Sequence, residues 1–207
     1  MADTRTKLLE AALVTLRKHG MAGVSARTIA AEAGVNQALV FYHFGSVDQL
    51  LAAACEHGAQ QRIALYRARF AAVTTLRELL DLGRSLHAEE RAEGSVAALA
   101  QLLAGSQTDP KLVPATTTGL NLWIEEVERA LGRVLAKSPL AEFVDVPGLA
   151  KATAAAFVGL ELYEGVDPEG ANHAFDALEG LATLATALDD MGPLVRRAAR
   201  ARLRRHS

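Results

Sequence analysis

The chain has 207 residues, half of them apolar, with one cysteine and a formal net charge of -2. That length can bury a sizeable core without cross-links, and the lone Cys55 excludes an intrachain disulfide. The charge is uneven. Residues 1–50 hold five basic against four acidic residues, residues 51–192 hold 11 against 20, and residues 193–207 hold six arginines and no acid. An anionic partner is therefore expected at an end of the chain and not at its middle. The apolar set is dominated by Ala and Leu, with few runs of Val, Ile or Tyr, so an all-α protein is expected.

The first helix is predicted from about Thr4 to His19. Leu8, Leu9, Ala12, Leu13 and Leu16 fall on one stripe, and Asp3 or Thr4 can cap its start. Arg17, Lys18 and His19 suit its last turn, and Gly20 follows as a stop. This segment lacks the apolar stretch of a signal peptide, and no run approaches the roughly 18 apolar residues of a membrane span. A cytoplasmic protein without a membrane partner is expected.

Ser25 is predicted to cap a short helix over Ala26 to Ala33, ended by Gly34. Asn36 is predicted to cap a third, through about Phe44, ended by Gly45. Ser46 to Gln49 reads as a capping box opening a long fourth helix to about Phe70. Further helices are predicted near 74–92, 95–106, 114–138, 147–165, 170–190 and 193–205. The breakers between them are Gly94, Asp109-Pro110, Pro139, Pro147-Gly148, Asp167-Pro168 and Gly192-Pro193.

Two short helices joined by a tight glycine turn, with a supporting helix in front, make a helix-turn-helix over 25–44. Its second helix, NQALVFYHF, places four aromatic or imidazole rings in a row. One helix face cannot bury them all. Val40 and Phe44 are four apart and are expected to anchor the helix against Leu13, Ile29 and Leu50. The others fall largely off that seam and suit the DNA major groove. Gln37 can pair with adenine, and Ala38, Leu39 or Phe41 can touch thymine methyls. Tyr42 and His43 can donate to phosphate oxygens, and Arg27 can reach a guanine edge or a phosphate.

Residues 5–51 resemble the N-terminal domain of the TetR (TetR/AcrR) family of transcriptional regulators. The resemblance rests on Leu9-Glu10-Ala11-Ala12, His19-Gly20, Val24-Ser25, Ile29-Ala30, Glu32-Ala33-Gly34-Val35, Phe41-Tyr42-His43-Phe44 and Ser46 to Leu50. It covers about a quarter of the chain, and order and spacing both match. It implies a three-helix DNA-binding domain over 1–50, tied by the long fourth helix to a helical regulatory, ligand-binding and dimerisation domain over 51–207. It implies a homodimer that reads a palindromic double-stranded operator and is released by a small-molecule effector. Carried over by position, DNA contacts fall to Arg27, Asn36, Gln37, Ala38, Leu39, Phe41, Tyr42 and His43. Three positions depart from the family pattern. Val47 stands where a phosphate-binding lysine is frequent, Leu39 where Thr or Ser is common, and Ala38 where Gly is common.

Beyond residue 51 the readings are broader. His87, Gln101 and Asn121 are polar groups within apolar helices, and with Trp123 they could line a ligand pocket. Ordinary core packing is the first reading for Trp123, with a pocket wall as the alternative. KATAAAFVGLEL and GLATLATAL are rich in small residues, so two helix backbones can approach closely. The resemblance favours a dimer seam there, with Phe157, Leu160, Phe175, Leu178 and Leu181 as anchors. Cys55 is expected to be an inert thiol. The arginine-rich tail is expected to be a solvated amphipathic helix, with a DNA arm as the other reading.

No catalytic residues, cofactor or metal are expected. His87, Glu89 and Glu90 lack a matching second ligand pair, Glu125, Glu126 and Glu128 lie on different sides of a helix, and no phosphate loop or nucleophile elbow occurs. A regulator without a ligand, and a helical enzyme or carrier, are the rival readings.

Overall fold

The computed structural model describes residues 3–136, 138 and 141–190, with the side chains of 188–190 left aside. The predicted tail helix over 193–205 lies outside the described residues. Among the described residues the fold is all-α, with no strand. Nine helices follow in order: α1 (Thr4–His19), α2 (Ala26–Ala33), α3 (Ala38–Phe44), α4 (Val47–Ala72), α5 (Leu76–Glu93), α6 (Ser95–Ser106), α7 (Val113–Leu135), α8 (Val146–Glu164) and α9 (Pro168–Asp190). Two 3-10 turns, Met21–Gly23 and Pro110–Leu112, precede α2 and α7.

The helix boundaries follow from local chemistry. Ser25 Oγ accepts from the Thr28 backbone N–H at 3.1 Å, and Thr28 Oγ1 accepts from the Ser25 N–H at 2.9 Å. This is a reciprocal capping box with threonine in the place usually held by Glu or Gln. Asn36 Oδ1 accepts from the Ala38 N–H at 2.8 Å, so the asparagine satisfies an orphan donor although α3 begins two residues later. Gly34 at φ 66° and Gly45 at φ 74° end α2 and α3 in the left-handed region, where a β-carbon is strained. Ser46 Oγ accepts from the Gln49 N–H at 3.1 Å and starts α4. Pro147 sits inside the first turn of α8, in line with the start predicted at 147, and Pro168 is the first residue of α9, two residues before the predicted start. Proline fits a first turn because the N–H it lacks has no intrahelical partner there.

The chain divides into two compact units, Met1–Leu65 with Glu90–Trp123 and Tyr66–Glu89 with Ile124–Ser207. In the first of these units α6 and the start of α7 share the core of α1–α4. In the first unit Leu8, Leu16, Ile29, Val40, Leu50 and Leu51 are almost wholly buried, together with Leu102 of α6 and Ala115 of α7. Each such side chain contributes about 1.5–3 kcal/mol by leaving water. Lys18 and Glu32 pair at 2.9 Å between α1 and α2, exposed enough to add little.

The second unit centres on Leu131, Leu135 and Ala150, flanked by Leu76, Leu79, Ile124, Val127 and Val146. Charged groups tie its helices. Arg84 of α5 reaches Asp176 at 2.7 Å and Glu179 at 3.0 Å on α9. The Asp176 hydrogen bond, with the neighbouring acids, raises the guanidinium pKa further. Arg69 and Glu89 pair at 2.7 Å, which holds that carboxyl below its ordinary value.

Candidate nucleic-acid interface

The helix α3 is positioned by its two apolar anchors. Val40 and Phe44 are buried, as the four-residue spacing predicts, in the same core cluster as Ile29 and Leu50, against which Leu13 packs. The rings between them are left outside. Tyr42 is 81% exposed and Phe41 49% exposed. A tyrosine so placed has no apolar cover of its own, and its hydroxyl is a free-standing donor for an anionic partner. His43 is half-buried and meets Tyr42 edge-on at 5.0 Å between centroids, which restricts both rings. Asn36, Gln37 and Ala38 are exposed at the start of α3, and Arg27 is exposed on α2.

Leu39 differs from this group. It is half-buried and packed against the core, so little of it remains for a thymine methyl. Val47 is likewise half-buried against that core. Arg5 was not singled out from the sequence. Its guanidinium lies 5.2 Å from the Phe44 ring centroid, which places an exposed cation at one end of α3. Only the tertiary fold, which brings Arg5 beside Phe44, signals it.

Residues 8–54 match the family model of bacterial regulatory proteins, tetR family. Over that stretch, under a quarter of its length, the chain is similar to the DNA-binding region of the tetR family. Relatives similar over the same region are described as HTH-type transcriptional regulators. The HTH-type transcriptional repressor Rv3405c of Mycobacterium tuberculosis is 42% identical over 55 residues. That stretch is 27% of this chain and 29% of the repressor, so the likeness in sequence is confined to the DNA-binding region. The fold likeness is broader. A Rhodococcus sp. structure described as a TetR-family transcriptional regulator superposes with a TM-score of 0.71. It is 23% identical and covers 89% of this chain and 99% of its own. The multidrug binding protein EbrR, solved with proflavin, has a TM-score of 0.57 and 26% identity over 85% of this chain and 99% of its own. These relatives are described as regulators and as a binding protein.

The residues expected in a ligand pocket fall in both units. Gln101 is exposed, and its Oε1 accepts from the Met21 N–H at 3.3 Å. It ties α6 to the 3-10 turn after α1. Asn121 is exposed and Trp123 half-buried, both in the first unit, whereas His87 is buried in the second. His87 is surrounded by Phe157, Phe175, Glu161 and Glu164.

The residues expected at a dimer seam divide. Phe175 is buried within its own chain, against His87 and under the Arg84 guanidinium, so it is an internal anchor. Phe157 is half-buried against His87 from the other side. Leu181 is 63% exposed, and Leu160 and Leu178 are half-buried. These three line an open groove of about 440 Å³ between α8 and α9, with Gly159 and Tyr163. Leu162, Leu184 and Val166 are also exposed on these helices and the turn joining them. Cys55 is half-buried against the first unit's core, and burial pushes its thiol up to about 11. That makes it the poor nucleophile expected.

Proposed function

We propose that this chain is a TetR-family regulator that acts as a repressor, binding a palindromic operator as a homodimer and leaving it when a small molecule binds. The observation that carries the reading is α3 itself. Its anchoring face is buried, while Gln37, Phe41 and Tyr42 stand exposed on the remainder with no protein cover. In this reading residues 1–50 are the DNA-binding domain, with Arg27, Asn36, Gln37, Ala38, Phe41, Tyr42 and His43 facing DNA and Leu39 a minor contributor. Residues 51–207 regulate and dimerise, and such a protein works in the cytoplasm, where its DNA is.

The two α3 helices of the dimer sit about one helical turn of DNA apart, roughly 34–36 Å. An effector that tilts α4 changes that spacing and lowers operator affinity. By linkage, operator DNA lowers effector affinity by the same factor. The EbrR complex with proflavin supports a planar or cationic small molecule as the first effector class to try.

The test is operator retention. Tyr42→Ala and Gln37→Ala are expected to keep the wild-type melting temperature and helical content while binding operator DNA at least about tenfold more weakly. Unchanged specific binding in both variants would overturn the assignment. A dimer that senses nothing is the second reading, favoured by the exposure of Gln101 and Asn121. Thermal-shift screening separates the two, since the first reading requires a stabilising compound that also releases DNA.

A further inference from the structure

The second unit brings together three groups that are far apart in sequence. His87 lies on α5, and Glu161 and Glu164 lie one turn apart on α8. Their potential ligand atoms all fall within 4.8 Å of one another. His87 is 5% exposed and Glu161 9% exposed. The two ring nitrogens of His87 are used differently. Nε2 is hydrogen-bonded to Glu164 Oε2 at 2.5 Å. Nδ1 is buried with no hydrogen-bond partner, and so is the Glu161 Oε2 that faces it at 3.7 Å. Phe157 and Phe175 hold the imidazole edge-on from two sides, with centroids 5.5 and 5.1 Å away.

Two buried acceptor-capable atoms that face each other without a bond are costly unless something fills the space between them. A divalent cation does so. Two ligands at zinc distances in a tetrahedral site lie about 3.4 Å apart, close to the separation here. A histidine that ligates through one nitrogen characteristically donates its other N–H to a carboxylate, which fixes tautomer and ring orientation. Glu164 stands in that position. We propose that His87 Nδ1 and Glu161 bind a divalent transition cation of the zinc class, with Glu164 as the positioning residue and the open coordination positions left to water or a bound small molecule. The mixed imidazole and carboxylate donors favour zinc over magnesium. Ligation through Nδ1 calls for the tautomer that carries its proton on Nε2, where Glu164 can accept it.

The site is tested without DNA, so its fate is separate from that of operator recognition. Full-length chain stripped with EDTA and dialysed is titrated calorimetrically with zinc sulfate at neutral pH. Wild type is expected to take up one equivalent more than Glu161→Gln, a near-isosteric change, with circular dichroism showing both folded. Glu164→Gln is expected to retain that equivalent at about 10–100-fold lower affinity. Equal stoichiometry and affinity in wild type and Glu161→Gln would overturn the site, as would displacement of zinc by equimolar magnesium. Should the variants unfold, cobalt(II) added to wild type decides. Visible bands of a low-coordinate nitrogen and oxygen site, lost on adding zinc, are expected, and the spectrum of hydrated cobalt alone counts against the proposal.

Discussion

At the residue scale, the side chains of α3 sort by what covers them. Phe44 and Tyr42 are both aromatic, yet one is core and the other surface, because a helix turns 100° per residue and only one stripe meets Ile29 and Leu50. Val47 is a sharper case. It is half-buried, but a lysine there could lay its stem along the same apolar surface and carry its charge outward. If α3 and the start of α4 face DNA, Val47→Lys should tighten operator binding and steepen its log–log salt dependence by about one. Salt-dependent anisotropy measures this. Cys55 yields a second expectation. With its pKa pushed up to about 11 by burial, almost none is thiolate at pH 8. Alkylation by iodoacetamide at that pH should be at least ~100-fold slower in the native chain than in urea. The native rate should then rise with pH until it levels near 11.

At the element scale, the DNA-reading unit depends on its turns. Gly34 is left-handed at φ 66° and no neighbour lies near the position of its missing β-carbon. Gly34→Ala therefore tests backbone strain alone and should destabilise the first unit by about 1–2 kcal/mol, read by urea unfolding. The same substitution should weaken operator binding more than that loss of folded protein accounts for, because the turn aims α3. Most of these boundaries were legible in the sequence. Capping residues and glycine stops act within three or four residues, so Ser25, Asn36 and Ser46 announce their helices locally. Pro168 is harder to place, since a proline that breaks one helix equally well begins the next.

At the scale of the whole molecule, the exposed apolar face of α8 and α9 bears on assembly. Leu181, Leu184 and Leu162 are all more than half exposed, a grouping that water does not favour. Leu181→Asp should shift a homodimer towards monomer in sedimentation equilibrium and cut operator affinity, while circular dichroism stays unchanged. Phe175→Ala should behave differently, lowering the melting temperature through lost internal packing, because that ring is buried against His87 and Arg84.

The sequence by itself determined what is local: helical content, the caps and stops of α1–α4, the buried pair Val40 and Phe44, and the family carried by residues 8–54. Tertiary structure decided what depends on elements distant in the chain. It made α6 part of the first unit's core, turned Gln101 outward to the Met21 backbone and took Phe175 inside. It also set His87 against Glu161 and Glu164, 77 residues beyond it in the case of Glu164. Periodicity shows that a residue shares a face with its neighbours four positions away. It does not show which helix that face will meet, because that is settled by the packing of all the faces at once.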